Sequence, residues 1–158
     1  MEIEIVEDKK QSLYVYENDK LLFYSTIDFK WTGNNIIKIF DSKDDLNLEI
    51  EDYNGFLWSQ KFKISFQKTR EERNINDFTY DYISFDENEN LKRQKEDFFA
   101  LNQNCFYSLK GTKIAQTKQK MWNSPQKIIL EINDKYLDLK DLIIIHILVI
   151  RTGFNSSD

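Results

Sequence analysis

Hydrophobic and polar positions alternate along most of this chain, and turn signals separate the alternating runs. The clearest run follows Asn54-Gly55 and divides its side chains between two faces, with Phe56, Trp58, Phe62, Ile64 and Phe66 on one and Ser59, Lys61, Lys63, Ser65 and Gln67 on the other. A period of two indicates a strand with one buried face. Turn signals such as Asn18-Asp19 and Lys110-Gly111 recur at the spacing typical of sandwiches and barrels, so we predict roughly ten to twelve short antiparallel strands. We interpret the charged stretch Lys68 to Asp77 as a loop and the charged stretch Asp86 to Asp97 as a second break between strands.

The longest apolar run, Leu142 to Ile150, lies near the end of the chain and contains one histidine. It is far shorter than the roughly 20 residues that a transmembrane helix needs. Asp138 and Asp141 before the run, and Arg151 and Gly153 after it, match the first-turn and last-turn preferences of helices. We therefore predict a helix of roughly four turns from about Asp138 to Arg151. A strand buried on both faces remains the alternative, because short apolar runs do not separate the two.

These two patterns together predict one architecture. A sheet of many antiparallel strands manages its edges most simply by closing into a barrel, and a barrel of more than about eight strands is too wide for its own side chains to fill. The predicted helix is apolar all round in its second half, so protein must surround it. We predict a single mainly β domain, residues 1–158, in which a closed antiparallel barrel encloses the hydrophobic C-terminal helix.

Three segments are characteristic of this layout: the hairpin segments LYVYENDKLLFYSTIDFKW and LEIEDYNGFLWSQKFKI, and the helix segment YLDLKDLIIIHILVI. With the layout, they resemble the opening hairpins and the final helix of the tubby C-terminal-like superfamily, which includes plant LURP-one-related proteins and phospholipid scramblases. The resemblance covers the whole chain and implies a twelve-stranded barrel around a buried helix. For some members it implies phosphoinositide or membrane-surface binding. The chain departs from those members because it has no cysteine cluster for palmitate, no proline-rich leader and no basic lipid-binding residue that matches by position.

Composition narrows the classes of partner and the compartment. The chain has 27 Asp and Glu against 22 Lys and Arg, which argues against a general nucleic-acid binder, since such proteins neutralise phosphates. A single cysteine, Cys105, excludes an internal disulfide, and we interpret it as a buried inert thiol. The N-terminal residues lack the basic start and apolar core of a signal peptide, so we predict a cytoplasmic protein.

The residues that could support metal chemistry are few. One histidine and one cysteine cannot form a histidine-rich metal site or a zinc finger, and we expect His146 to be a neutral, hydrogen-bonded core residue. Asp86, Asn88 and Asn90 have the spacing of the first three ligands of a calcium loop. Leu91 stands where such a loop needs glycine, and Asp97 replaces the usual bidentate glutamate at its twelfth position, so we interpret the segment as a solvated acidic loop. No cofactor is implied.

One basic group and the tryptophans are the other candidates for binding. The basic group combines two strand lysines with three cations of the following loop, namely Lys61, Lys63, Lys68, Arg70 and Arg73, and is the best sequence candidate for anionic lipid head groups. A solvated strand face is the alternative interpretation. Trp31, Trp58 and Trp122 could line a pocket, but we expect core packing because tryptophan buries a large area.

Three classes of function remain open at this point. The first is a non-enzymatic binding or scaffold module that acts on anionic phospholipid surfaces or on a protein partner. The second is a lipocalin-like barrel that carries a small apolar ligand in an open lumen. The third is an enzyme that uses a carboxylate pair, but 27 acids make chance pairs inevitable. We expect the first class, without catalysis.

Overall fold

The computed structural model describes residues 1–31, 34–54, 60–68, 73–87, 89–96, 103–119 and 125–153, with the side chains of residues 53–54 and 60–61 excluded. Twelve strands form a single sheet. Their bounds are β1 (Glu2–Glu7), β2 (Leu13–Glu17), β3 (Lys20–Asp28), β4 (Asn35–Asp41), β5 (Leu46–Asn54), β6 (Gln60–Gln67), β7 (Ile75–Phe78), β8 (Tyr82–Phe85), β9 (Glu89–Lys95), β10 (Cys105–Leu109), β11 (Thr112–Lys118) and β12 (Lys127–Ile132).

The sheet is an antiparallel meander whose first and last strands are neighbours. The spatial order is β6-β5-β4-β3-β2-β1-β12-β11-β10-β9-β8-β7, so β1 and β12 pair in the middle and β6 and β7 form the two edges. The sheet curves into a nearly closed barrel, and its open seam lies in the middle of the chain. The predicted barrel and the upper end of the predicted strand number are confirmed.

Turn chemistry explains two of the hairpins. Asn18 and Asp19, between β2 and β3, both have positive φ, of 48° and 62°. Lys110 and Gly111 connect β10 and β11 with φ values of 50° and 82°. Two consecutive left-handed residues suit the right-handed twist of the strands that they join, which is why Asn, Asp and Gly favour such turns. Both turns were predicted at these positions.

The C-terminal segment is helical, as predicted, and the alternative of a buried strand is wrong. A 3₁₀ segment, Asp134–Leu139, leads into α1, Lys140–Arg151. Every residue from Leu142 to Arg151 is buried. Asp141 in the first turn and Arg151 in the last turn carry the charges that complement the helix dipole.

The helix lies inside the curve of the sheet. Near its middle, His146 bonds to Tyr107 of β10, and just past its end Thr152 bonds to Ser25 of β3, on the opposite side of the barrel. Inward side chains of β1 and β12, such as Ile5 and Leu130, belong to the same apolar core as the helix. The helix therefore fills the space that an apolar ligand of a lipocalin-like carrier would need.

The charged stretch from Asp86 to Asp97, predicted as a break between strands, instead contains β9. Leu91 and Arg93 are buried on the inner side of β9, and Lys92 between them is exposed. A strand with one solvated face tolerates several charges, so overall polarity concealed the period of two. The predicted charged loop 68–77 is also shorter than expected, because β7 begins at Ile75.

The predicted half-buried strand is present as β6, but its apolar face is not uniform. Phe62 and Ile64 are half-buried, whereas Phe66 is 44% exposed. The pairing of β5 with β6 shifts register between Glu49 and Ile50. Such an irregularity re-aims side chains and bends the strand, which accounts for the change of face. Residues 55–59 of the predicted run lie outside the described residues.

A side-chain amide bridges the seam between β6 and β7. The Ile75 N–H donates to Gln67 Oε1 at 3.0 Å, and Gln67 Nε2 donates to the Ile75 carbonyl at 2.9 Å. This pair of bonds resembles the two N–H···O=C bonds that opposite residues of neighbouring strands form in an antiparallel sheet. Phe62 of β6 also packs edge-on against Phe78 of β7, with ring centroids 5.4 Å apart. The two edge strands are therefore held together without a regular ladder.

The Gln67 bridge gives a testable prediction about stability. Gln67→Ala removes both bonds and leaves two backbone groups of Ile75 without these partners, so the free energy of unfolding in urea should fall by about 1–3 kcal/mol. Gln94→Ala, an exposed glutamine to alanine change on β9, is the matched control and should cost less than about 0.5 kcal/mol. Equal losses in the two variants would show that the bridge does not stabilise the seam.

Candidate functional site

The only histidine of the chain joins the helix to the barrel wall. His146 is fully buried, its Nδ1 lies 2.9 Å from the Tyr107 hydroxyl, and its Nε2 lies 2.9 Å from the Thr79 carbonyl oxygen. A carbonyl can only accept, so Nε2 carries the proton and donates to Thr79. In the neutral ring Nδ1 then accepts the hydrogen bond from Tyr107. The ring also packs on Phe78, with centroids 5.0 Å apart.

Burial controls the protonation of this pair. It lowers the pKa of His146 to about 3, because the imidazolium would lose its hydration. Burial likewise raises the pKa of Tyr107. Both groups are therefore neutral at physiological pH and act as a satisfied hydrogen-bond pair, which agrees with the core histidine that the sequence predicts.

A second polar cluster surrounds the C-terminal end of α1. The Arg151 side chain is 4% exposed, and it donates from Nε to Gln126 Oε1 at 3.1 Å and from its guanidinium to Gln119 Oε1 at 2.5 Å. Gln126 in turn donates from Nε2 to Glu7 Oε1 at 3.2 Å and from its backbone N–H to Glu7 Oε2 at 2.8 Å. Burial lowers the pKa of Arg151. The amide of Gln126 thus connects a buried guanidinium with a buried carboxylate.

A second buried arginine, Arg93 of β9, lies beside this cluster. Its guanidinium stacks over the Tyr80 ring, 4.7 Å from the centroid, and its side chain is 8% exposed. Arg93 and Arg151 line a small internal cavity of about 10 Å³ together with Gln103, whose Oε1 is buried and has no hydrogen-bond partner. A cavity of that volume holds about one water molecule, which would satisfy the amide oxygen.

On the outer side of Arg93 the barrel wall carries a larger groove of about 540 Å³. We call it the β8–β9 groove, and residues 80–82 and 92–95 line it. Lys92 and Lys95 are exposed on its rim, and Asp81 is the one acid among the described residues of the lining. The sequence interpretation missed Arg93 and this groove. Leu91 and Arg93 are two positions apart, so the alternation of side chains along a strand could have placed the arginine on the same inner face as the leucine.

The structure describes three side chains of the predicted basic group, and two of them pair with carboxylates. Lys63 is exposed on β6, whereas the Lys68 ammonium lies 3.3 Å from Asp45 and 3.8 Å from Asp41. Arg73 pairs with Asp138 at 2.5 Å and with Asp86 at 3.8 Å. The Lys61 side chain and all of Arg70 lie outside the described part of the chain, so head-group binding by these five residues remains a prediction.

The residues with calcium-loop spacing and Cys105 are the remaining candidates from the sequence for metal binding or reactivity. Asp86 faces Arg73, Asn90 belongs to β9, and Asn88 and Asp97 lie outside the described residues. Across the described ranges no group of three or more His, Cys, Asp or Glu side chains is arranged to hold a metal ion. Cys105 is a free, buried thiol on β10, as predicted.

The connection after β3 carries two aromatic side chains in solvent. Trp31 is fully exposed, Phe29 is 48% exposed, and Lys30 between them is exposed as well. We call residues 29–31 the β3–β4 tip. Trp31 was predicted to pack in the core and does not, while Trp58 and Trp122 lie outside the described residues.

The base of the tip packs close to Gly153, the second residue after the end of α1. Gly153 has a φ of +72°, and a Cβ there would come within 2.5 Å of Ile27 Cδ1 and 3.3 Å of Phe29 Cζ. Its N–H donates to the Gln11 carbonyl at 3.4 Å. Three features of the fold therefore meet at this end of the barrel: the C-terminal end of α1, the β1–β2 turn and the base of the tip.

Comparisons with known proteins give no family. No protein-family model matches the chain, and neither a curated protein nor a solved structure shows a significant match to it. Membership of the tubby-like superfamily therefore remains a prediction. Within the described ranges, no helix has the length and apolar character needed to cross a membrane.

The buried histidine predicts a specific pH dependence of stability. In the unfolded chain the imidazole binds a proton below a pH of about 6.5, whereas in the folded protein it stays neutral down to a pH of about 3. The unfolded state thus binds more protons in this window, so the free energy of unfolding should decrease as the pH falls, by about 2 kcal/mol between pH 7 and pH 5 from this residue.

Urea denaturation at the two pH values, with wild type and His146→Gln, tests this expectation. The variant should be less stable at pH 7 because it disturbs the bonds to Tyr107 and Thr79, but it should lack the histidine part of the pH dependence. An identical loss of stability in both proteins on acidification would mean that the unfolding equilibrium is not linked to His146.

Proposed function

We propose that this chain is a non-enzymatic binding domain that attaches to anionic membrane surfaces through the β3–β4 tip. The observation that carries the proposal is the complete exposure of Trp31 next to a half-exposed Phe29. Tryptophan is usually well buried in globular proteins, so an exposed one beside a second aromatic marks a surface that is covered in use. Tryptophan and phenylalanine are also the side chains that peripheral proteins insert at the membrane interface.

The charges around the tip favour an anionic surface. Lys30 belongs to the tip, and the exposed Lys9 and Lys10 stand in the β1–β2 turn, whose Gln11 contacts Gly153 beneath the tip. Asp8 of that turn accepts bonds from the backbone N–H groups of Lys10 and Ser12 and, like the exposed Asp28 beside the tip, keeps its negative charge, so three lysines stand against two acids there. Each lysine near an anionic membrane contributes about 1 kcal/mol.

The shape of the tip favours a lipid surface over a protein. A stable protein interface needs a sizeable complementary patch, whereas headgroups accommodate a short protruding segment of any shape. The filled barrel also gives an apolar ligand no room within the described interior, which weighs against the carrier alternative. The resemblance to the tubby-like superfamily, with its membrane-surface binders, agrees with the proposal. The cytoplasmic location predicted from the sequence would place the domain on the side of the membrane where the anionic leaflet is found.

Co-sedimentation with phosphatidylcholine vesicles, with and without phosphatidylserine, tests the proposal. Wild type should bind the anionic vesicles, and binding should weaken as salt is added. Trp31→Ala should weaken vesicle affinity roughly tenfold, because it removes the largest apolar anchor. Its thermal stability should be unchanged, since the side chain is fully exposed.

Lys63→Glu is the control variant, because Lys63 is an exposed cation of β6 and belongs to the basic group predicted from sequence. It should bind vesicles like wild type apart from a small general charge effect. If Lys63→Glu abolishes binding and Trp31→Ala does not, the predicted basic group is the lipid site and the tip is not. If wild type binds neither vesicle, the membrane proposal is wrong.

A further inference from the structure

The β8–β9 groove exists because β8 is shorter than its neighbour. The ladder between the two strands reaches Tyr82 opposite Lys92, and the Arg93 N–H adds a last bond to the Asp81 carbonyl at 2.7 Å. Beyond that point β9 continues to Lys95, paired with Cys105 of β10 on its other side. Backbone groups of a strand alternate in direction, so the N–H of Lys95 faces the same side as that of Arg93, which is the groove.

The charge at the base of the groove lacks an anionic partner within the described chain. No carboxylate of the described residues lies within ion-pair distance of Arg93, whose guanidinium stacks on the Tyr80 ring and also hydrogen-bonds the Tyr80 side chain. The neighbouring Arg151 adds a second positive charge on the inner side. A buried guanidinium that is not paired is costly, and a cation–π contact compensates only part of that cost.

The remaining lining increases the positive potential. Among the described residues of the lining, Arg93, Lys92 and Lys95 carry three positive charges against the one carboxylate of Asp81, an excess of two on a protein whose formal net charge is −5. Its volume of about 540 Å³ is in the range of small-molecule sites. The groove is therefore positively charged on a protein that is negatively charged overall, and this positive charge favours anionic ligands.

We propose that the β8–β9 groove binds a small organic molecule that carries phosphate or carboxylate groups. The fixed guanidinium of Arg93 would take one group through two parallel N–H bonds, a geometry that lysine cannot supply. The Lys95 N–H and the two rim lysines would contact the other charges. Tyr80, stacked on Arg93, holds the guanidinium in place before the ligand arrives.

This site is independent of the membrane proposal. In the sheet order the tip lies between β4 and β3, and β9, β8 lie beyond β2, β1, β12, β11 and β10, on another side of the barrel. A substitution in the groove should therefore leave attachment through Trp31 unchanged. The two proposals can fail separately.

Isothermal titration and thermal unfolding with pyrophosphate and with citrate, at constant ionic strength, test the inference. Wild type should bind at least one probe saturably, and its melting temperature should rise with probe concentration. Arg93→Gln should lose this binding and should melt, without probe, at or above the wild-type temperature, because an unpaired buried charge is removed. Lys63→Gln, on β6 and outside the described lining of the groove, should bind the probe like wild type.

A second variant covers the case in which Arg93→Gln does not fold. Lys95→Glu changes an exposed side chain on the rim and should weaken probe binding about tenfold without loss of stability. The inference is overturned if wild type binds neither probe at millimolar concentration, or if both foldable variants bind like wild type.

Co-sedimentation with vesicles distinguishes a soluble anionic ligand from a lipid head group. Phosphatidylcholine vesicles that contain phosphatidic acid present the same phosphate chemistry on a lipid. If Lys95→Glu weakens probe binding but not vesicle co-sedimentation, the ligand is a soluble molecule, as we propose. If it weakens co-sedimentation while neither soluble probe binds wild type, the soluble-ligand proposal is wrong and the groove belongs to the membrane-binding surface.

Discussion

The packing of α1 inside the curved sheet is the interaction on which the rest of this structure depends. A barrel of twelve strands is too wide for its inward side chains to meet across the middle, so it must be filled or it collapses. The segment from Leu142 to Ile150 is apolar on nearly every side and could not be stable in water as an isolated helix. The helix therefore fills the barrel, and the barrel shields the apolar helix from water. Since β1 pairs with β12 just before the helix begins, the sheet brings its own filling into place.

The polar groups of the interior show how tightly this arrangement is specified. His146 is bonded at both ring nitrogens, and Arg151 reaches the carboxylate of Glu7 through Gln126. A shift of the helix by one turn would place these groups against apolar walls, where each would lose its partners. The apolar residues of the helix supply most of the stabilisation, but they are nearly interchangeable. The buried polar bonds therefore set the register of the helix in the barrel.

Features that depend on neighbouring positions in the chain could be predicted from the sequence, whereas features of the fold and of the candidate site that depend on contacts in space could not. Alternation and turn residues such as Asn18-Asp19 act within a few positions of the chain, so the hairpins and the strand number could be inferred directly. The helix could be predicted from its flanking charges, although its inner run has the composition of a strand. The bond between Gln67 and Ile75 depends instead on where two edges meet in space. The solvated face of β9 also concealed the buried Arg93, and no residue pattern distinguishes an exposed Trp31 from a core tryptophan.

A filled interior moves recognition to the outside of the barrel. Within the described residues the internal cavity beside Arg93 and Arg151 holds about one water molecule, so larger ligands must bind at the ends or on the wall. The two surfaces that depart most from ordinary packing lie there: the aromatic β3–β4 tip and the basic β8–β9 groove. Both are connected to the helix, the tip through Gly153 and the groove through the neighbouring guanidiniums of Arg93 and Arg151. The helix that makes the barrel possible therefore also supports the two places where its surface is suited to binding.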